Sequence, residues 1–117
     1  MVRRSVFAAA AVLTVGFAAQ PAFAADGAQL FNMQCKMCHG GSVMGPALTG
    51  VAGGKIASRA DFAYSPALKA KGGTWTDASL DAYLKAPAAF APGTKMFMAV
   101  PSEENRAALI GHLKTLK

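Results

Sequence analysis

The feature that most constrains this chain is a run of five residues, Cys35-Lys36-Met37-Cys38-His39. Two thiols two residues apart lie on one turn, and a histidine follows the second thiol at once. This is the Cys-x-x-Cys-His pattern of c-type haem attachment, in which the thiols join the two vinyl groups and the imidazole binds iron. The chain has no other cysteine. The run therefore predicts one haem c, held covalently through Cys35 and Cys38, with His39 as an axial ligand.

Two other kinds of site use closely spaced cysteines. A thioredoxin-like redox pair should lie at a strand–helix junction in a βαβ pattern, and the sequence has no such strands. A tetrahedral zinc site needs four ligands, whereas the chain has two cysteines and two histidines, with His112 far away in sequence. The haem interpretation is therefore favoured over both.

Residues 1–24 have the anatomy of a secretory signal peptide. Arg3 and Arg4 supply positive charge, residues 6–19 form an apolar run, and Ala22-Phe23-Ala24 is a small-residue cleavage site. The run falls short of the roughly 20 apolar residues that span a bilayer. Cleavage after Ala24 would leave one haem domain over residues 25–117 in the periplasm. No later stretch is apolar enough to span a membrane, so we predict no transmembrane anchor after cleavage.

The charge of the chain indicates which partners it can attract, and its length indicates how stable its core can be. The formal net charge is +6, and removal of Arg3 and Arg4 lowers it to +4. Lysines near the haem edge would steer redox proteins with acidic docking surfaces, whereas no basic run or motif indicates nucleic acid. A chain of this length is one domain with a marginal core, so we expect it to fold poorly without haem and to be a monomer.

Capping residues and apolar periods predict helices joined by loops. The first helix runs from Gly27 to about Met37 and leads into the haem motif, and the third ends at Pro87. Residues 87–101, rich in proline and glycine, are predicted as an extended loop. No stretch shows sustained strand alternation. Four helices are expected to begin at the N-caps Asp26, Ser65, Thr76 and Ser102.

Five segments in a fixed order carry a family resemblance: Cys35–His39, Gly45-Pro46-x-Leu48, Tyr64 with Thr74-Trp75, Tyr83-Leu84-x-x-Pro87, and Pro92-Gly93-Thr94-Lys95-Met96. From Gly27 onward the chain resembles the class I cytochromes c, the mitochondrial-type and bacterial monohaem electron carriers. The resemblance implies an all-α fold of about four to five helices around one covalently bound haem. The N- and C-terminal helices would cross.

The second axial ligand decides what such a haem can do. Met33, Met37 and Met44 lie on or too near the haem-attaching segment, and His112 belongs to a helix expected at the edge of the fold. A lysine or an empty site is also an option. Among the methionines, reasoning from the residues leaves Met96 and Met98, and the resemblance selects Met96. A thioether raises the reduction potential relative to a second imidazole.

The resemblance also implies supporting roles. Pro46 would accept a hydrogen bond from His39, Tyr64 and Trp75 would bind a propionate, and Tyr83 would lie near the methionine ligand. Arg59 is a further candidate for a propionate, and Met98 and His112 replace aromatic residues usual in the family. The complete predicted cofactor-binding set is Cys35, Cys38, His39, Pro46, Tyr64, Trp75, Tyr83, Thr94 (for a propionate) and Met96, with His39 and Met96 on the metal.

The sequence thus indicates a periplasmic one-electron carrier of a respiratory chain, not an enzyme. It would shuttle electrons between larger redox complexes as the iron cycles between Fe(III) and Fe(II). Two alternatives stay open. One is a haem c enzyme or ligand sensor, such as a peroxidase or gas binder, with a labile sixth site. The other is a dedicated haem subunit of a periplasmic dehydrogenase.

Overall fold

The computed structural model describes residues 10–16 and 25–117, so most of the predicted signal peptide lies outside the described residues. Within these ranges the backbone forms no strand, and one isolated antiparallel bridge pairs Lys55 with Thr74. In the same part of the chain, no helix is long and apolar enough to cross a membrane. Five helical segments follow one another: α1 (Gly27–Leu30), continued by a π-helical turn (Phe31–Cys35) and α2 (Lys36–His39), then α3 (Pro66–Lys71), α4 (Asp77–Lys85), α5 (Pro87–Phe90) and α6 (Glu103–Leu113).

All four predicted N-caps are confirmed. Asp26 accepts hydrogen bonds from two first-turn backbone N–H groups at 3.0 and 3.3 Å. Ser65 and Ser102 each accept one such bond, and Thr76 forms a reciprocal capping box with Ser79. Each bond satisfies a backbone donor that the helix itself leaves unpaired, which is why these residues could be located from sequence alone.

Two helix boundaries differ from the prediction. The first helical segment reaches His39, two residues beyond Met37, and contains a π-helical turn in which the Lys36 N–H donates to the Phe31 carbonyl. The prediction of an extended loop over 87–101 is wrong for its first four residues, since Pro87 begins α5. Proline suits the first helical position because its fixed φ is helical and that position needs no N–H partner.

The N- and C-terminal helices cross at a glycine. A Cβ built on Gly27 would lie 2.1 Å from the Ala108 carbonyl oxygen and 3.1 Å from the Cβ of His112. One turn further on, the Phe31 ring packs on the His112 ring with centroids 5.0 Å apart. The predicted crossing of these helices is confirmed, and His112 contributes to their packing.

The core is built from three helices and the loops between them. Half-buried Leu30, Phe31 and Cys35 of the first segment pack against it. The α6 helix contributes three buried apolar residues, of which Leu113 follows Leu109 by four positions and Ile110 by three, so one stripe of that helix faces inward. The buried apolar residues are Ile56, Leu68, Trp75, Leu80, Leu84, Ala91, Val100, Leu109, Ile110 and Leu113.

We expect Gly27→Ala to lower the free energy of unfolding by about 1–3 kcal/mol, because the added methyl group must push the α6 backbone away. The matched control is Gly111→Ala on α6, where a Cβ would meet nothing within 4 Å. That change should raise the free energy of unfolding by about 0.5–1 kcal/mol, since alanine favours helix more than glycine does. Urea unfolding of the haem-loaded variants, followed by far-ultraviolet circular dichroism, measures both. Equal effects at the two positions would contradict the close helix contact.

Candidate haem-binding site

A cavity of about 470 Å³ extends from the Cys-x-x-Cys-His segment to the loop that follows α5. Its volume lies within the roughly 300–1,000 Å³ of small-molecule sites. Core side chains such as Leu68, Leu84 and Leu109 form much of its wall. The fold also brings every predicted cofactor-binding residue to this wall: Cys35, Cys38, His39, Pro46, Tyr64, Trp75, Tyr83, Thr94 and Met96.

The two cysteines line this cavity, and both are half-buried free thiols. Cys35 ends the π-helical turn and Cys38 lies in α2, so the first helical segment presents both. Burial raises the pKa of the Cys35 thiol, and the neighbouring Cys38 raises it further. The Cys35 thiol is therefore held in its neutral form at neutral pH before any thioether is made.

The imidazole of His39 is fixed through one of its nitrogens. Nδ1 lies 2.7 Å from the Pro46 carbonyl oxygen, which is the contact that the resemblance implies. A carbonyl can only accept, so Nδ1 donates and Nε2 keeps its lone pair for a metal. Sequence reasoning assigned no role to Gly45, but a Cβ there would lie 3.0 Å from both Nδ1 and the Cys38 carbonyl oxygen. Glycine lets this loop approach the ring.

Three methionines line the cavity, and they differ in burial. Met96 is half-buried and packs against the core, Met98 is 46 % exposed, and Met44 is more exposed still. Met33 and Met37 lie on the first helical segment, as expected from the sequence, and both are exposed. Met96 is therefore the methionine that the fold encloses most.

Two buried residues anchor the loop on either side of Met96. Thr94 is 8 % exposed, and its Oγ1 lies 2.7 Å from the Tyr83 hydroxyl oxygen. Val100 is 2 % exposed, and its N–H donates to the Leu84 carbonyl at 2.7 Å. Because Tyr83 and Leu84 are neighbours in α4, this helix holds both ends of the segment that carries Met96.

Arg106 ties the same loop to two helices, and sequence reasoning missed it. Its Nη1 donates to the Val100 and Pro101 carbonyls at 3.1 and 2.9 Å, and its Nε donates to Asp81 in α4 at 2.7 Å. The residue is 5 % exposed, and a buried guanidinium needs such partners. Arg106 lies three residues before Leu109 and therefore on the apolar face of α6, and this spacing could have indicated from the sequence that it is buried.

The aromatic residues lie at the cavity with partners that the resemblance did not specify. The Tyr64 hydroxyl accepts a hydrogen bond from the Arg59 N–H at 3.4 Å. The Trp75 ring lies against Tyr83 and Phe90, with centroids 5.2 and 5.7 Å apart. Burial raises the pKa of the Tyr83 hydroxyl, although its bond to Thr94 works in the opposite direction. Tyr83 thus joins the aromatic cluster to the methionine loop.

Three basic residues also line the cavity: Lys55, Arg59 and Lys95. Arg59, the candidate for a propionate, forms an ion pair with Asp61 at 3.1 Å, which raises the pKa of the guanidinium and lowers that of the carboxyl. The Lys95 ammonium donates to the Ala63 carbonyl at 2.5 Å. The rim of the cavity is therefore positively charged, with the charge of Arg59 partly compensated.

The chain matches known proteins over this whole domain. The Cytochrome c family model matches residues 24–117. Cytochrome c of Tetrahymena pyriformis is 42% identical over 97 residues, which cover 80% of this chain and 88% of that protein. Cytochrome c2 of Rhodomicrobium vannielii is 44% identical over 95 residues, covering 76% and 75%.

A longer relative and a solved structure agree with this. The cytochrome c-type cyt cy of Rhodobacter capsulatus is 45% identical over 94 residues, or 77% of this chain, and the match spans about half (47%) of that protein. Cytochrome cH from Methylobacterium extorquens superposes with a TM-score of 0.69 at 38% identity, covering 78% of this chain and 99% of that one.

The donor set suits the cofactor of these proteins, since two thiols, an imidazole with its Nε2 available and a thioether surround one apolar cavity. Cytochromes c bind haem c covalently and transfer electrons, so the predictions of an all-α fold, a haem c cofactor and an electron-transfer protein rather than an enzyme are confirmed. The chain belongs to the cytochrome c family.

Proposed function

We propose that this chain is a periplasmic one-electron carrier in which His39 and Met96 hold the haem iron. The observation that carries the proposal is that both residues line the same apolar cavity as Cys35 and Cys38, with His39 Nε2 available and Met96 half-buried. Haem c bound there would supply reversible one-electron exchange between Fe(III) and Fe(II). A neutral thioether would favour Fe(II) relative to a second imidazole and so raise the reduction potential.

The residues around the ligands support a carrier more than a catalyst. Pro46 orients His39, and the Thr94 and Val100 anchors hold the segment of Met96. Ligands held in place through both oxidation states need little rearrangement when an electron arrives or leaves. Two protein ligands on the metal also leave little room for a substrate or a gas, which argues against the peroxidase and sensor alternatives.

The purified ferric protein should show the far-red absorption band of thioether–Fe(III) ligation at neutral pH, and the ferrous protein should bind CO slowly. Both follow from a sixth position that Met96 already fills. The urea-unfolded protein is the control and should lose the band and bind CO rapidly. A folded ferric protein without the band, together with rapid CO binding, would favour the haem enzyme or sensor.

We also propose that residues 1–24 are removed on export, so that the carrier is residues 25–117. The family match begins at residue 24, beside the proposed cleavage position, and the Asp26 cap follows directly. The intact mass of protein from a periplasmic fraction should equal that of residues 25–117 with one haem. A mass that includes residues 1–24 would rule out this processing.

The proposed partners are larger redox proteins with acidic docking surfaces. Support comes from the net charge of +4 that remains after removal of Arg3 and Arg4, and from Lys55 and Lys95 at the cavity. Elution of the purified protein as a free monomer in gel filtration is expected of a mobile carrier, whereas co-elution with a dehydrogenase would favour the dedicated-subunit alternative.

The positive rim should speed reaction with anions. We expect the rate of reduction by ferrocyanide, an anion, to fall as ionic strength rises, and Lys55→Gln or Lys95→Gln to lower the low-salt rate by roughly two- to threefold. The matched control is Lys69→Gln, at an exposed position of α3, and this change should affect the rate less. Stopped-flow kinetics measures each rate. Equal losses at all three positions would show that net charge, not the rim, attracts the reagent.

A further inference from the structure

The loop that carries Met96 contains a second thioether, Met98, at the same sequence distance from the other anchor of the loop. Met96 follows the Thr94 anchor by two residues, and Met98 precedes the Val100 anchor by two. Both line the cavity, and Phe97 between them borders it as well, but Phe97 is 95 % exposed whereas Met98 is 46 % exposed and Met96 is half-buried. The segment is irregular, neither helix nor strand, so burial and not a regular repeat indicates which side chains face the cavity. Met96 and Met98 therefore share the side of the loop that faces the cavity.

We infer that Met98 is a reserve axial ligand, able to bind the haem iron at the position of Met96 when Met96 is removed or displaced. The inference rests on the proposed ligation by Met96. The two side chains offer the same neutral sulfur donor, so their order of preference is set by the protein around them. Met96 comes first because it is half-buried against the core, while Met98 is 46 % exposed.

The exchange needs movement of only five residues, 95–99. The Thr94–Tyr83 bond lies before this segment, and the Val100–Leu84 bond lies after it. The Arg106 bonds to the Val100 and Pro101 carbonyls also lie outside it. The side-chain hydrogen bond that must adapt is the exposed one from Lys95 to the Ala63 carbonyl. The anchors can therefore stay intact while one thioether replaces the other.

Met44 is the remaining thioether at the cavity, and its loop belongs to the histidine side. The next residue, Gly45, lies against the His39 ring, and the following Pro46 carbonyl accepts the bond from Nδ1. Movement of Met44 toward the iron would disturb the residues that orient His39. Met98 has no such constraint, so it is the better candidate and Met44 supplies the control.

The test compares haem-loaded Met96→Leu with the double variants Met96→Leu/Met98→Leu and Met96→Leu/Met44→Leu. We expect the single variant to keep the far-red thioether band in part of its ferric molecules and to bind CO at least tenfold more slowly than the Met98-lacking double. The Met44-lacking double should behave like the single variant. Far-ultraviolet circular dichroism verifies that each variant folds, and Met96→Ala replaces Met96→Leu if the latter does not fold.

The outcomes separate this inference from the proposed function. A band in the unmutated protein that vanishes completely in folded Met96→Leu would overturn the reserve-ligand role and leave ligation by Met96 intact. Loss of the band in the Met44-lacking double but not in the Met98-lacking double would assign the reserve to Met44 and refute Met98. Absence of the band from the unmutated protein would refute the proposed ligation itself.

Discussion

The constraint on which the rest of this fold depends is that its core surrounds a cavity instead of closing on itself. The side chains of Leu68, Leu84 and Leu109 are core residues and cavity wall at once. The net stability of a domain is only about 5–15 kcal/mol. A cofactor that binds the folded chain in this cavity of about 470 Å³ is therefore expected to add to the stability of the fold.

Each of the two proposed iron ligands is held in position by other parts of the fold. On one side a backbone carbonyl fixes His39, and on the other α4 anchors the loop of Met96 at Thr94 and Val100. Arg106 adds a third attachment by bridging that loop to Asp81. The groups that hold the two proposed ligands are mostly backbone carbonyls and hydroxyls, which would impose geometry without placing charge beside a metal.

Local chemistry explains what could be predicted from the sequence. Haem attachment and the four helix starts depend on residues within a few positions of one another, such as Asp26 and the N–H groups beside it. The close approach of Gly45 to His39 and the bridge from Arg106 depend on how distant segments meet, so neither was foreseen. The short helix at Pro87 was missed because proline's missing N–H and fixed φ both end the preceding helix and suit the first position of the next, so the sequence alone did not distinguish the two.

The glycine contact between the first and last helices has a consequence for the order in which the molecule is made. Gly27 meets Ala108 near opposite ends of the domain, so this contact cannot form until the last helix has been synthesised. Until then Leu109 and Leu113, both part of the cavity wall, are also missing. Nascent chains therefore pass through an interval in which the cavity wall is incomplete. The two ends of the domain must meet before the site can enclose its cofactor.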